Sequence, residues 1–272
     1  MTTLPLRFAD AEVQDEARFG GKSASLARAT ADGLLVPPGF GLAVDLVHAV
    51  AANTPAAHEL IASLVDEIGP AVAVRSSAVG EDGAAASFAG QHLTVQNVTS
   101  TEGLISAICE VHASATSDAA LAYRQQMKIE GEPRIAVAVQ RQVASDVAGV
   151  MFTRHPITGD AEYYVECAWG LGEAIVAGLV VPDTFRLSSA GEVLERTPGF
   201  KELKLVASGD GEIAEVPVPP ASVEALCLTD AQLASLWQLG DRCGQVYGEG
   251  LDIEWCVADG TIYLLQCRGI TI

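Results

Sequence analysis

Four residues near the end of the chain have the types and spacing for metal and phosphate chemistry. They are Asp252 and Glu254 within Leu251-Asp252-Ile253-Glu254-Trp255, and Gln266 and Arg268 within Leu264-Leu265-Gln266-Cys267-Arg268. Read as short strands, each pair is two residues apart and leaves its strand on one face. Gly260 lies between the two runs and predicts a hairpin turn. The paired hairpin would present two carboxylates, an amide and a guanidinium on one surface. Carboxylates with an amide oxygen form a hard, all-oxygen set suited to Mg²⁺ beside nucleotide phosphates. A guanidinium grips phosphate bidentately. Spacing alone leaves a solvated, charged edge hairpin equally open.

Such a set needs cations from elsewhere in the chain. Gly20-Gly21-Lys22-Ser23 precedes a predicted helix from Ser23 to about Asp32, with Gly33 as its stop. It is not a P-loop, because Glu16 stands where the first glycine belongs and no apolar strand precedes it. What remains is a lysine at a helix start, where free amides and a cation can meet an anion. A second cation, Arg75, follows a short predicted strand over Ala71–Val74. The loop 79–91 then carries small residues, three glycines and one aromatic, with Glu81 and Asp82 at its start. Loops without bulk let backbone amides approach phosphate.

The elements that must position these residues alternate in kind. Residues 56–69 have the apolar spacing of one amphipathic helix. Strands are predicted at 93–98, 135–140, 149–153 and 162–167, and helices at 101–115 and 119–128. The stretch 198–222 reads as a surface hairpin or linker, and Thr229-Asp230-Ala231-Gln232 as a capping box opening a helix to about Tyr247. Short turns join several strands. The expected class is therefore α+β (mixed α/β) with largely antiparallel sheets, in two lobes spanning residues 1–130 and 131–272.

Composition narrows the chemistry. The chain has 272 residues, 49% of them hydrophobic, and a formal net charge of −19. That charge argues against a nucleic-acid partner, and it requires the few basic residues to gather wherever a polyanion such as ATP is held. No apolar run has the length of a membrane span and the N-terminus lacks signal-peptide features, so no membrane association and a cytoplasmic location are expected. Six scattered cysteines and five histidines, with no C-x-x-C or H-x-x-x-H pair, predict reduced, buried thiols and no zinc site.

Taken in order, the motifs carry a family resemblance. They are Gly20–Leu26 with Val36-Pro37-Pro38-Gly39-Phe40; Val74-Arg75-Ser76-Ser77-Ala78 with Glu81-Asp82 and Ser87-Phe88-Ala89-Gly90-Gln91; and Gly149-Val150-Met151-Phe152-Thr153. Trp169-Gly170-Leu171-Gly172-Glu173 with Pro182-Asp183 follows, and then the closing hairpin. The set resembles the N-terminal ATP-binding domain of phosphoenolpyruvate synthase, pyruvate phosphate dikinase and rifampin phosphotransferase, from about residue 18 to 270.

The resemblance implies an ATP-grasp fold whose two lobes clamp ATP, and an ATP-dependent phosphotransferase. Such enzymes send the β-phosphoryl group of ATP to a histidine on a separate swivelling domain and the γ-phosphoryl group to water or phosphate. Carried over by position, Lys22 holds phosphate and Arg75 the triphosphate. The Ser87–Gln91 loop, with Gly90, covers the phosphates. Gln140, Gln142 and Val143 lie along the adenine, and Glu173 supports the phosphate side. Glu254 and Gln266 hold Mg²⁺ with Asp252 beside them, and Arg268 neutralises developing charge. None of the five histidines sits in the family's Thr-Ser-His-Ala context. Three functions therefore stand open: a module serving a histidine on a separate protein, a kinase acting directly on a small molecule, and a non-catalytic ATP-binding module. The acceptor is not named by the sequence.

Overall fold

In a computed structural model, residues 3–79, 93–126 and 131–270 are described. Two compact units are present. One comprises Met1–Ala31 and Pro37–Gln142, the other Asp32–Val36 and Val143–Ile270.

The first unit is built on a five-stranded antiparallel sheet. Its elements are β1 (Leu6–Arg7), α1 (Glu16–Ala31), β2 (Gly39–Leu42), α2 (Val44–Ala51), α3 (Pro55–Ile61), α4 (Leu64–Ile68), β3 (Val72–Ala78), β4 (Thr94–Val98), α5 (Thr101–Ser114), α6 (Asp118–Gln126) and β5 (Ile135–Arg141). The strand order is β1-β2-β5-β3-β4. Register sorts the side chains by face. Phe40, Leu42, Val72, Val74, Val137 and Val139 share one face and enter a core with apolar residues of α2, α3, α4 and α5. Gly39, Gly41, Ala73, Arg75, Ser77, Ala136, Ala138 and Gln140 share the other. The glycines, alanines and serine of this set make a flat floor for α1: a side chain at Gly41 would press on Val13 and Phe19.

The second unit contains β6 (Val147–Phe152), β7 (Glu162–Trp169), α7 (Glu173–Val176), β8 (Asp183–Ser188), β9 (Val193–Thr197), β10 (Leu203–Ala207), β11 (Ile213–Pro217), α8 (Asp230–Tyr247), β12 (Leu251–Ala258) and β13 (Thr261–Gly269). Six strands form an antiparallel sheet in the order β13-β12-β6-β7-β8-β9, and β10 and β11 form a separate hairpin. Trp255, Ile253, Met151, Val165, Cys167, Phe185 and Leu187 are fully buried on the inner face. Gly149 lies opposite Trp255, and a side chain there would strike the indole and the Glu166 carbonyl. Helix α8 opens with the expected capping box: Gln232 N donates to Thr229 Oγ1 (3.3 Å) and Thr229 N to Gln232 Oε1 (2.9 Å). It buries Leu233, Leu236, Gly240 and Cys243.

The class is the expected one, mixed α+β with antiparallel sheets. Three local expectations change. The single helix over 56–69 is two, ending at Ile61 and restarting at Leu64. The strand expected over Ala71–Val74 runs on to Ala78 and carries Arg75 inside it. The units divide at Gln142 where the sequence drew residue 130, because β5 pairs with both β2 and β3.

Candidate functional site

In the first unit, the Gly20–Ser23 segment is tied to β3. Gly20 has φ +74° and interrupts α1. Only glycine fits, since a Cβ would collide with the Ser77 carbonyl group. Ser77 Oγ donates to Phe19 O (2.8 Å) and accepts from Ser23 N (3.0 Å). The chain at Lys22 is thereby held against the strand that carries Arg75, two residues from Ser77 on the same face. Lys22 and Arg75 are both buried, at 7% and 9% exposure. In a chain this acidic, two buried cations gathered at one helix–strand junction suit an anionic ligand.

Gln140 shares the Arg75 face, across β5 from Ala73. It is 1% exposed, and its Nε2 has no hydrogen-bond partner among the described residues. Gln142 Nε2 donates weakly to Gln96 Oε1 (3.4 Å), and its own buried Oε1 has no partner among the described residues. Native interiors seldom leave such atoms unsatisfied. A donor and an acceptor on neighbouring amides fit a nucleobase edge. Val143 follows them and belongs to the second unit.

In the second unit, the closing hairpin has the expected pairing. Asp252 lies opposite Arg268 and Glu254 opposite Gln266. Asp259 (φ 49°) and Gly260 (φ 73°) form the two-residue turn, the left-handed conformation that Asp-Gly favours. Arg268 Nε and Nη2 both donate to Asp252 Oδ2, at 2.9 and 2.7 Å. The sequence reading aimed Arg268 at phosphate, whereas here its guanidinium is bonded to Asp252. Burial raises the Asp252 carboxyl above its ordinary value; Arg268 opposes this and Glu254 adds to it. Gln266 is buried and Glu254 half-buried. A carboxylate facing an amide on adjacent strands is a fitting oxygen pair for Mg²⁺.

The same register identifies residues that sequence reasoning missed. Glu254 pairs with Val150, Val150 with Glu166, and Glu166 with Thr184. Glu166 therefore shares the outer face with the hairpin set. Its local spacing carries no signal, and only the sheet order reveals it. The motif residue Asp183 serves structure instead. Fully buried, it accepts from the Lys201 ammonium and from Gly199 N and Cys227 N (both 2.7 Å). Cys167 and Cys227 lie beside it, and the Cys227 thiol is pushed far up by Cys167 and by burial. Glu173 opens α7 and is half-buried. Ser87, Gly90 and Gln91, with Glu81 and Asp82, lie outside the described residues.

An α+β chain with buried cations in one unit and a carboxylate–amide–guanidinium set in the other has the makings of a nucleotide-binding protein. Comparison with known proteins specifies the family. Residues 51–272 match the pyruvate phosphate dikinase, AMP/ATP-binding domain. The chain is 40% identical over 202 residues to a probable phosphoenolpyruvate synthase of Methanothermobacter thermautotrophicus, covering 74% of this chain and 29% of the relative. It is 39% identical over 203 residues to a rifampicin phosphotransferase of Streptomyces sviceus (74% and 23%). It is 34% identical over 299 aligned residues to the prodigiosin synthesizing transferase PigC of Serratia marcescens (99% and 33%). The chain belongs to the pyruvate phosphate dikinase ATP-binding domain family, with its ATP-grasp class of fold, and spans roughly a quarter to a third of the length of these relatives.

Proposed function

We propose that this chain is the Mg·ATP-dependent phosphotransferase module of a dikinase-type enzyme, serving a histidine on a separate swivelling domain or subunit. The observation that carries the reading is the register of the closing hairpin, which sets Glu254 opposite Gln266 and Asp252 opposite Arg268. Glu254 and Gln266 would hold Mg²⁺, which supplies charge neutralisation at the phosphates. Lys22 and Arg75 would bind and orient the triphosphate. Gln140, Gln142 and Val143 would read the adenine edge. Asp252 fixes Arg268 and so keeps a guanidinium at the rim of the metal set. Ser87, Gly90 and Gln91 would cover the phosphates, and Glu173 would support them. Positioning and charge compensation are the main contributions a protein makes to phosphoryl transfer. The balanced reaction is ATP, water and histidine giving AMP, phosphate and phosphohistidine.

Among the described residues, no helix is long and apolar enough to cross a membrane. A cytoplasmic location is part of this proposal.

Phosphorus NMR of Mg·ATP with the protein and a histidine-bearing candidate partner tests it. AMP and phosphate appearing together support the dikinase reading. ADP formed with a small acceptor, without any partner protein, replaces it with a direct kinase.

A further inference from the structure

The outer face of the six-stranded sheet carries two rows of side chains that cross the strands. One row runs Gln266, Glu254, Val150, Glu166, Thr184, and the next Arg268, Asp252, Phe152, Tyr164, Arg186. The opposite face is the buried one, where Met151, Val165, Ile253 and Trp255 are fully enclosed. The outer face is half-buried along Val150, Phe152, Tyr164 and Glu166. Val150 and Phe152 thus form an apolar strip with a polar wall on each side. The hairpin set makes one wall; Glu166 and Tyr164 make the other.

The second wall has its own electrostatics. Arg186 is committed to Glu162, through Nε and Nη2 at 2.9 Å each, and to Glu195 at 2.9 Å. Glu166 takes only a weak bond from the Tyr164 hydroxyl, at 3.4 Å to Oε1, and no ion pair reaches it among the described residues. A half-buried carboxylate with so little compensation is suited to accepting further hydrogen bonds. A second divalent cation fits poorly, because the cross-strand neighbours of Glu166 are Val150 and Thr184, neither of them a carboxylate or an amide. Neutral hydroxyl donors fit well. Glu166 stands two strands from Glu254, about 10 Å by strand spacing, a span that suits the distance between the sugar and the outer phosphates of a nucleotide.

We infer that Glu166 accepts hydrogen bonds from the ribose hydroxyls of the bound nucleotide, with Val150 and Phe152 beneath the sugar, and so makes this site selective for ribonucleotides. The inference rests on the Mg·ATP reading and assigns its sugar-specificity residue.

The test is titration calorimetry of the whole chain, wild type and Glu166→Ala, with Mg·ATP and Mg·2′-deoxyATP. Thermal melting of both proteins checks that the variant is folded, and Glu166→Gln provides a second variant that keeps the side-chain volume. Wild type is expected to bind ATP about tenfold or more tightly over deoxyATP, the scale of a hydrogen bond to a charged group. Glu166→Ala should bind both equally, no more tightly than wild type binds deoxyATP, and Glu166→Gln should fall between. A role confined to stability would leave the preference unchanged. Equal binding of the two nucleotides by wild type, or an undiminished preference in Glu166→Ala, overturns the assignment while leaving Mg·ATP binding intact. No binding of Mg·ATP by wild type overturns the phosphotransferase reading and this inference with it.

Discussion

Asp252 and Arg268 sit directly opposite each other on β12 and β13, and two guanidinium nitrogens converge on a single carboxylate oxygen. The pair is part-buried, with 14% of the Asp252 side chain and 34% of the Arg268 side chain exposed. Arg268→Ala strands a carboxylate that burial already makes costly to ionise. A loss of about 1–3 kcal/mol is expected, between the values for exposed and for fully buried pairs. The double variant Asp252→Asn, Arg268→Gln should recover part of that stability. Denaturant unfolding of the single and double variants checks this. A double-variant loss equal to the sum of the two single-variant losses would show that the two side chains are not coupled.

Arg75→Ala removes a buried cation from the floor beneath α1. If Arg75 holds the triphosphate through charge-assisted bonds, Mg·ATP should bind on the order of a hundredfold more weakly, with the melting temperature little changed. Unaltered affinity in a folded variant would remove Arg75 from the site.

A pH effect is expected in the first unit, away from the phosphate residues. His48 and His112 have ring centroids 5.6 Å apart. They line a cavity of about 480 Å³ with Arg18, Asp45, Glu132 and Arg134. Burial, and then the charge of His48, hold His112 below the ordinary histidine value of 6.5. A base depressed in the folded state is neutral in both states at high pH. As pH falls through the ordinary histidine range, the unfolded chain takes up the proton first, and stability is lost. The thermal midpoint should therefore fall on acidification below about pH 6.5, and fall less in His112→Gln. Identical pH profiles would contradict this.

The closing hairpin was legible because its information is local. Two-residue spacing assigned the faces, and Gly260 marked the turn. The capping box at Thr229 was legible for the same reason. Glu166 was not, since only the order β12-β6-β7 brings it onto the outer face. The collision that makes Gly20 obligatory involves Ser77, far away in the chain, so the glycine pair read only as an anion-friendly helix start. The break between Ile61 and Leu64 was hidden because apolar residues keep helical spacing across it. The partnership of Arg268 with Asp252 was hidden by competition. A guanidinium satisfies phosphate and carboxylate alike, and the cross-strand register places Asp252 within its reach.

The central claim is that the chain binds ATP with Mg²⁺ held by Glu254 and Gln266. Titration calorimetry of ATP into the wild type and Glu254→Gln, across a range of Mg²⁺ concentrations and with a chelator, tests it most directly. The account predicts one saturable site in the wild type, loss of most of its affinity when Mg²⁺ is chelated, and a Mg²⁺ requirement raised about tenfold or more in Glu254→Gln, the scale at which even outer-shell partners of a metal act. ATP affinity indifferent to Mg²⁺, or a variant with the wild-type Mg²⁺ requirement, would contradict it.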